Sequence, residues 1–167
     1  ESGPEQILDN DSTATFASGS WDSVRKKGAI NDYYRRSKNM GNRYRWVPEA
    51  LNNAAYEVYA WWPKRRKQNK SAGFTITHHG TQSFAILDQS RNSKQWVYLG
   101  TYAFTGDDSE FIELSDEGGD TAADAIRLVE ILPAKIETRT DLHYFHNDHL
   151  GTPHRMTDQF GDTVWHA

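Results

Sequence analysis

Apolar and polar residues alternate with a period of two along much of this chain, the spacing of strands that bury one face. The clearest case is Ala55-Tyr56-Glu57-Val58-Tyr59-Ala60-Trp61-Trp62, closed by Pro63, which cannot donate to a central ladder. Tyr56, Val58, Ala60 and Trp62 share one face of such a strand, and Glu57, Tyr59 and Trp61 share the other. Because both faces carry large aromatics, the strand either lies inside a sandwich or offers an aromatic surface, and periodicity alone leaves either face as the core.

The same pattern recurs at Arg43–Pro48, with Tyr44 and Trp46 on one side. Phe74–His78 and Ser83–Leu87 predict a hairpin around His79-Gly80. Trp96–Phe104 predicts a long strand with Gly100 where a bulge or bend would fall. Phe111–Leu114 and Ala122–Val129 complete the series, and Ala14–Trp21 reads as an earlier strand interrupted at Gly19. Val24–Asn42 shows neither period and is expected to be a long loop crossing between sheets. About eight evenly spaced strands without a convincing helix predict an all-β fold, an antiparallel β-sandwich or jelly roll.

Composition narrows the function classes. At 167 residues the chain can bury one full core and carry a short appendage. Its mean hydropathy of -0.82 implies polar surfaces, and no apolar run approaches the roughly 18 residues of a spanning helix. Cysteine is absent, which removes disulfides, thiol nucleophiles and cysteine-based zinc sites together. A net charge of -4 argues against a general nucleic-acid binder. The basic run Lys64-Arg65-Arg66-Lys67-Gln68-Asn69-Lys70 lacks the aromatic interleaving of a polyanion site and reads as a solvated loop between strands. The opening Glu1-Ser2-Gly3-Pro4-Glu5-Gln6 has no signal-peptide character and reads as the interior of a longer polypeptide.

Taken in order, Leu8-Asp9-Asn10, Tyr56 through Pro63, Thr75-Ile76-Thr77-His78, Trp96 through Tyr102, Leu114-Ser115-Asp116 and Ala123 through Arg127 resemble the golvesin C-terminal domain, a module also found in xanthan lyases. The resemblance covers residues 6–130. It implies a β-sandwich related to carbohydrate-binding modules, accessory to another activity in exported bacterial proteins. A second stretch, His143 through Asp158 with Gly161-Asp162-Thr163-Val164-Trp165, is similar to the Rhs or YD-repeat core, in which this segment implies a β-hairpin of a large shell. The expected organisation is therefore a golvesin-like sandwich over 6–131, a linker over 132–141 and an Rhs-like hairpin segment over 142–167.

Candidate chemistry follows the aromatics. A sugar ring presents a face of C–H groups to an indole or phenol while nearby polar side chains bond its hydroxyls. Trp21, Tyr33, Tyr34, Tyr59, Trp61 and Trp96 are candidates, with Asn31, Asp32, Arg35 and Asn92 as polar company. Tyr33 and Tyr34, placed in the expected loop, are the favoured contacts, because strand aromatics are read first as core. Asp9, Asp11 and Asp124 are candidates for a structural calcium, although the rest of a calcium loop is missing. No other cofactor is expected. His143, His146, His149 and His154 invite a zinc reading, but their spacings suit neither a helical nor a closed site.

No nucleophile elbow or phosphate loop occurs, and Asp88, Asp107, Asp108 and Asp116 read as turn residues, so no enzyme activity is expected. The expected role is a noncatalytic binding module of a larger Rhs-type bacterial protein, secreted or at the cell surface. Its expected partner is carbohydrate or another surface polymer. The competing reading is a structural, assembly module of an Rhs shell with no small-molecule ligand.

Overall fold

The period-two stretches become strands whose buried positions face one another across two antiparallel sheets. The computed structural model describes residues 1–134 and, beyond them, the strands Arg155–Thr157 and Thr163–His166. The chain divides into two units, Glu1–Pro133 and Ala134–Ala167.

In the first unit one sheet has four strands. Strand β12 (Ala125–Ile131) pairs with β1 (Ser2–Asp9) on one edge and β6 (Ala54–Trp61) on the other, and β9 (Val97–Phe104) completes the order β1-β12-β6-β9. The facing sheet has the order β2-β5-β10-β7-β8, built from β2 (Thr15–Ser18), β5 (Arg43–Trp46), β10 (Phe111–Ser115), β7 (Ala72–His78) and β8 (Thr81–Leu87). A small third sheet joins β3 (Asp22–Arg25), β4 (Tyr33–Ser37) and β11 (Thr121–Ala123) in the order β11-β4-β3. In the second unit β13 (Arg155–Thr157) and β14 (Thr163–His166) pair antiparallel, Met156 opposite Trp165. His143, His146, His149 and His154 lie outside the described residues.

The two large sheets enclose Trp46, Val58, Trp62, Ile76, Phe104 and Ile112, together with Leu114, Ile126 and Leu128, all essentially removed from water. Strand β6 is bonded on both edges, and its choice of face is plain: Tyr56, Val58, Ala60 and Trp62 are buried, while Glu57, Tyr59 and Trp61 are half-buried on the outside. The predicted hairpin forms between β7 and β8, with His78 opposite Thr81.

Four expectations are corrected. Val24–Asn42 is not a long loop: it holds part of β3, a short 3-10 turn at Ile30–Asp32 and all of β4. Beside the buried Tyr34, β4 covers polar residues through pairing, so it carries no apolar stripe. Arg36 grips the Asp120 carboxylate with two bonds of 2.7 and 2.8 Å, and the Ser37 hydroxyl donates to Asp116 at 2.6 Å. Ala122–Val129 is two strands rather than one, divided at Asp124 and assigned to different sheets. The Ala14–Trp21 strand shrinks to Thr15–Ser18, and the described first unit holds twelve strands instead of about eight.

One core feature carries a stability prediction. The indole N–H groups of Trp46 and Trp62 are buried without a hydrogen-bond partner, so those rings stabilise through apolar packing against an unmet polar cost. Urea unfolding of Trp62→Ala is expected to show a loss of about 3–5 kcal/mol. Trp62→Phe, which keeps a ring and deletes the orphan donor, is expected to lose less than half of that. Equal losses for the two variants would mean that the N–H is bonded, for example to an ordered water.

Candidate ligand-binding surface

The outer face of the four-stranded sheet gathers an aromatic platform. Its geometry starts at a bulge. Val58 pairs with Gly100 and Tyr59 with Tyr98, leaving Leu99 as an extra residue on β9. An extra residue reverses the parity of a strand: Tyr102 and Leu99 point to the core side while Thr101 and Tyr98 stay outside. Gly100 suits the position because its φ is +153° and a Cβ there would meet the Tyr102 phenol oxygen at 2.4 Å. The bend foreseen at Gly100 is thus a bulge that turns Tyr98 to the side of Tyr59.

Tyr59 and Tyr98 lie with ring centroids 5.6 Å apart, and Trp61 and Trp96 at 5.3 Å in an edge-to-face pair. Arg127, opposite Tyr59 on β12, holds its guanidinium carbon 5.4 Å from the Tyr59 ring centre and 6.0 Å from that of Trp96. Glu5 on β1 holds the guanidinium in turn at 2.6 Å. The Tyr59 hydroxyl donates to Glu57 at 2.5 Å, and this bond, with some desolvation, pushes the phenol's pKa up so that it stays a donor. Tyr98 is half exposed, at 52%. The Trp61 indole donates to the Gly28 carbonyl at 2.9 Å, which fixes its tilt and ties it to the loop before Ala29. Tyr59, Trp61 and Trp96 are half-buried and Tyr98 is exposed, and the bond to Gly28 fixes the tilt of Trp61, an aromatic surface of the kind that stacks on a sugar.

Of the residues singled out in the sequence, Tyr59, Trp61 and Trp96 come together here. Tyr34 does not: it is fully buried, and its phenol oxygen accepts a bond of 2.8 Å from Arg65, which also reaches Asp120 at 3.2 Å. The expectation that Tyr34 is a loop contact fails because β4 is a strand and Tyr34 is on its inner side. Tyr33 is exposed at 46% on the other side of β4, and its carbonyl accepts a bond from Asn10. Trp21 packs edge-on against Tyr44 and lines a separate depression with Arg35 and Asp11. Asn92 sits in a turn, in the left-handed region with φ of +52°. Sequence reasoning passed over Tyr98 and Arg127. Tyr98 is out of phase with Thr101 unless the bulge is counted, and Arg127 shows its role only through its register opposite Tyr59.

Asp9 and Asp124 meet behind this sheet. The Asp9 carboxylate accepts from the Asn10 backbone, the Asn10 amide and the Asn31 amide at 2.7, 2.8 and 2.6 Å. Asp124 accepts from the Ile30 backbone at 3.1 Å and more distantly, at 3.4 Å, from the Asn10 amide. Burial first, and then the neighbouring Asp9 charge, push the Asp124 pKa up to about 8; burial likewise raises that of Asp9. The carboxylates and amide oxygens are of the hard type calcium takes. Their orientation does not fit, because N–H groups face the carboxylates. Asp11 is exposed, and among the described residues no group of three acidic or imidazole side chains is arranged to hold a metal. The other carboxylates serve turns: Asp88 accepts from Ser90, Asp107 from Ser109, and Asp116 from Gly119.

The family model of the golvesin C-terminal domain matches residues 6–130, and that of the RHS protein family matches residues 142–167. No curated protein sequence matches the chain. Among solved structures the chain is similar to Paenibacillus xanthan lyase, with a TM-score of 0.72 and 24% identity over 77% of this chain. It spans 13% of that lyase chain. It is similar to a family 35 carbohydrate binding module from Clostridium thermocellum, with a TM-score of 0.54 and 8% identity over 75% of this chain and 98% of that one. A CBM35 from Cellvibrio japonicus gives 0.56 and 12% over 77% and 95%. These likenesses show the fold, a sandwich of the carbohydrate-binding-module type. No helix among the described residues is long and apolar enough to cross a membrane.

The Asp9–Asp124 pair yields a pH prediction. A carboxyl whose pKa is raised on folding binds its proton more tightly in the native state, so its stabilising effect is full below about 4 and is lost as the pH rises toward about 8. Glu110, whose pKa burial would raise but four donors on His79, Thr105 and Asp107 bring below the ordinary value, stays ionised above pH 5 and adds no slope there. In calcium-free buffer with EDTA the melting temperature is expected to fall by several degrees between pH 5 and pH 8.5, and Asp124→Asn to flatten that fall. Added calcium is expected to leave the curve unchanged; a rise at pH 8.5 would establish that the amides turn and a cation replaces the proton.

Proposed function

This chain belongs to the golvesin C-terminal domain family, and on that premise we propose that residues 6–130 form a noncatalytic accessory module that binds carbohydrate for a larger, exported bacterial protein. The observation that carries the reading is the platform of Tyr59, Trp61, Trp96 and Tyr98, four oriented rings with Arg127 braced among them on an outer sheet face. A pyranose stacks on such rings through its C–H face, and Arg127, held by Glu5, and Glu57, bonded by the Tyr59 hydroxyl, are polar groups in contact with them. The sandwich is of the same type as the two carbohydrate binding modules to which it is similar. Binding of this kind needs no cofactor, and the turn roles of Asp88, Asp107 and Asp116 leave those carboxylates without a catalytic task. Placement outside the cell, secreted or at the surface, follows from the same reading, since surface polymers are the partners it supposes.

The match of residues 142–167 to the RHS protein family favours a second reading, in which the module helps assemble a larger Rhs polypeptide and its outer aromatics touch protein. A glycan array followed by affinity electrophoresis of the full chain separates the two. Carbohydrate binding is expected, and Trp61→Ala and Trp96→Ala are each expected to weaken it about tenfold, or about 1.4 kcal/mol, with the melting temperature reporting that the variants fold. Phe84→Ala, which removes an exposed ring on β8 of the facing sheet, is expected to bind like the parent chain. Silence across neutral and acidic glycans would overturn the binding reading in favour of assembly.

A further inference from the structure

Three loops bring six cations to one end of the platform. Lys26 and Lys27 come from the turn after β3, Lys64, Arg65 and Arg66 from the segment after Pro63, and Lys94 from the connection into β9; together with Gly28 they line a depression of about 780 Å³. No acidic side chain lines it. Among the described residues only Arg65 of the six forms an ion pair, its bond to Asp120 at 3.2 Å. Five like charges stand around one hollow without an ion-pair partner among the described residues.

The hollow is built rather than incidental. Gly28 has a φ of +94°, and a Cβ on it would lie 2.6 Å from the Lys94 side chain, so the glycine admits the lysine stem across the turn. Lys94 is held in the left-handed region at φ +57° by its backbone N–H, which donates to the Trp62 carbonyl at 2.8 Å. Arg65 is locked between Tyr34 and Asp120. The Trp61 indole bonds the Gly28 carbonyl at 2.9 Å, and Trp96 follows Lys94 by two residues. The Gly28 and Lys94 sides of the hollow are therefore close to the platform's tryptophan pair, and the Arg65 side is anchored to the small sheet.

We propose that this hollow receives the carboxylate groups of an acidic polysaccharide whose sugar rings lie on Trp61 and Trp96. The proposal rests on the carbohydrate reading above and specifies the class of glycan. Repulsion among clustered cations is relieved by an anion, and an open basic depression beside stacking rings matches a polymer that carries one carboxylate per sugar. A nucleic acid is the less suitable occupant. It presents a continuous line of phosphates, which calls for a long basic track, whereas these cations are confined to one depression on a chain of net charge -4.

The test is calorimetry or affinity electrophoresis of the full chain against polygalacturonate, the same polymer fully methyl-esterified, and single-stranded oligo(dT), at low and at moderate salt. Polygalacturonate is expected to bind about tenfold or more tightly than the ester, with the advantage shrinking as salt rises. The double variant Lys64→Ala/Lys94→Ala is expected to lose that advantage and to keep its binding of the ester, while Trp61→Ala weakens both. Equal binding of ester and acid, unchanged by the double variant, overturns this inference and leaves the carbohydrate reading standing. Binding of neither polysaccharide overturns both. Oligo(dT) bound as tightly as polygalacturonate overturns the assignment to an acidic glycan.

Discussion

Hydrogen bonding on both edges of β6 is the constraint from which the outer aromatic surface follows. With β12 on one side and β9 on the other, the strand cannot rotate, and its two faces must be sorted between core and exterior. The sorting is decided by what lies opposite. Tyr56, Val58, Ala60 and Trp62 meet Ile76, Ile112 and Leu114 of the facing sheet within one cluster, and burying several side chains of that size is worth about 1.5–3 kcal/mol apiece. Tyr59 and Trp61 are then committed to the outside, where only neighbours on the same sheet can shape them. The outer aromatics are a consequence of a fixed register, and a one-residue slip would place Tyr59 and Trp61 in the core and put Val58 and Ala60 on the platform.

Register also explains how much was legible in the sequence. The inner and outer faces of β5, β6 and β7 are readable as alternation, because each buries apolar residues against one partner sheet, and so is the hairpin around Gly80. Strand β9 is harder, since its alternation breaks at Leu99-Gly100 and the residues on either side belong to different phases. A glycine marks the break, but which residue is the extra one depends on pairing with Val58 and Tyr59, and pairing is not a local property. Tyr98 was hidden for that reason. Strands β3 and β4 were hidden for another: Arg36 and Ser37 are covered through charge pairing and hydrogen bonding with Asp120 and Asp116, residues about eighty positions away, so no apolar stripe announces them.

Tyr34 shows how a residue can be well chosen for its type and misplaced in its role. It touches Arg65 at the basic depression, but as a buried anchor. Its phenol, whose pKa burial pushes up, stays neutral and accepts from Arg65, and Arg65 in turn shares Asp120 with Arg36. The four side chains lock the start of the Lys64–Lys70 segment onto the small sheet. The basic run read as a solvated loop is thus solvated on one side only. Gln68 and Asn69 are buried, the first donating to the Pro63 carbonyl and the second to the Thr121 hydroxyl, and the cations between these anchors are held at a defined place.

Stacking and charge act over different ranges, and the fold sets them side by side in a way that uses both. Ring contacts fall away within a few ångströms and depend on the tilt of Trp61 and Trp96, which the bond to Gly28 and the edge-to-face contact hold steady. The cations act over about 8–10 Å at ordinary ionic strength, far enough to draw in a charged chain before any ring is aligned. Placing six of them in one depression is inexpensive while they face water, since each unit charge at 4 Å interacts with another by only about 1 kcal/mol in bulk solvent. The same repulsion grows as a ligand excludes that water, unless the ligand carries the opposite sign. A neutral chain lying across Trp61 and Trp96 would shield the cations from solvent without compensating them, whereas an anionic one removes the penalty that its own arrival creates. On the reading proposed above, selectivity for charge follows from putting a stacking platform next to cations of which five have no ion-pair partner among the described residues, whatever the detailed shape of the sugar.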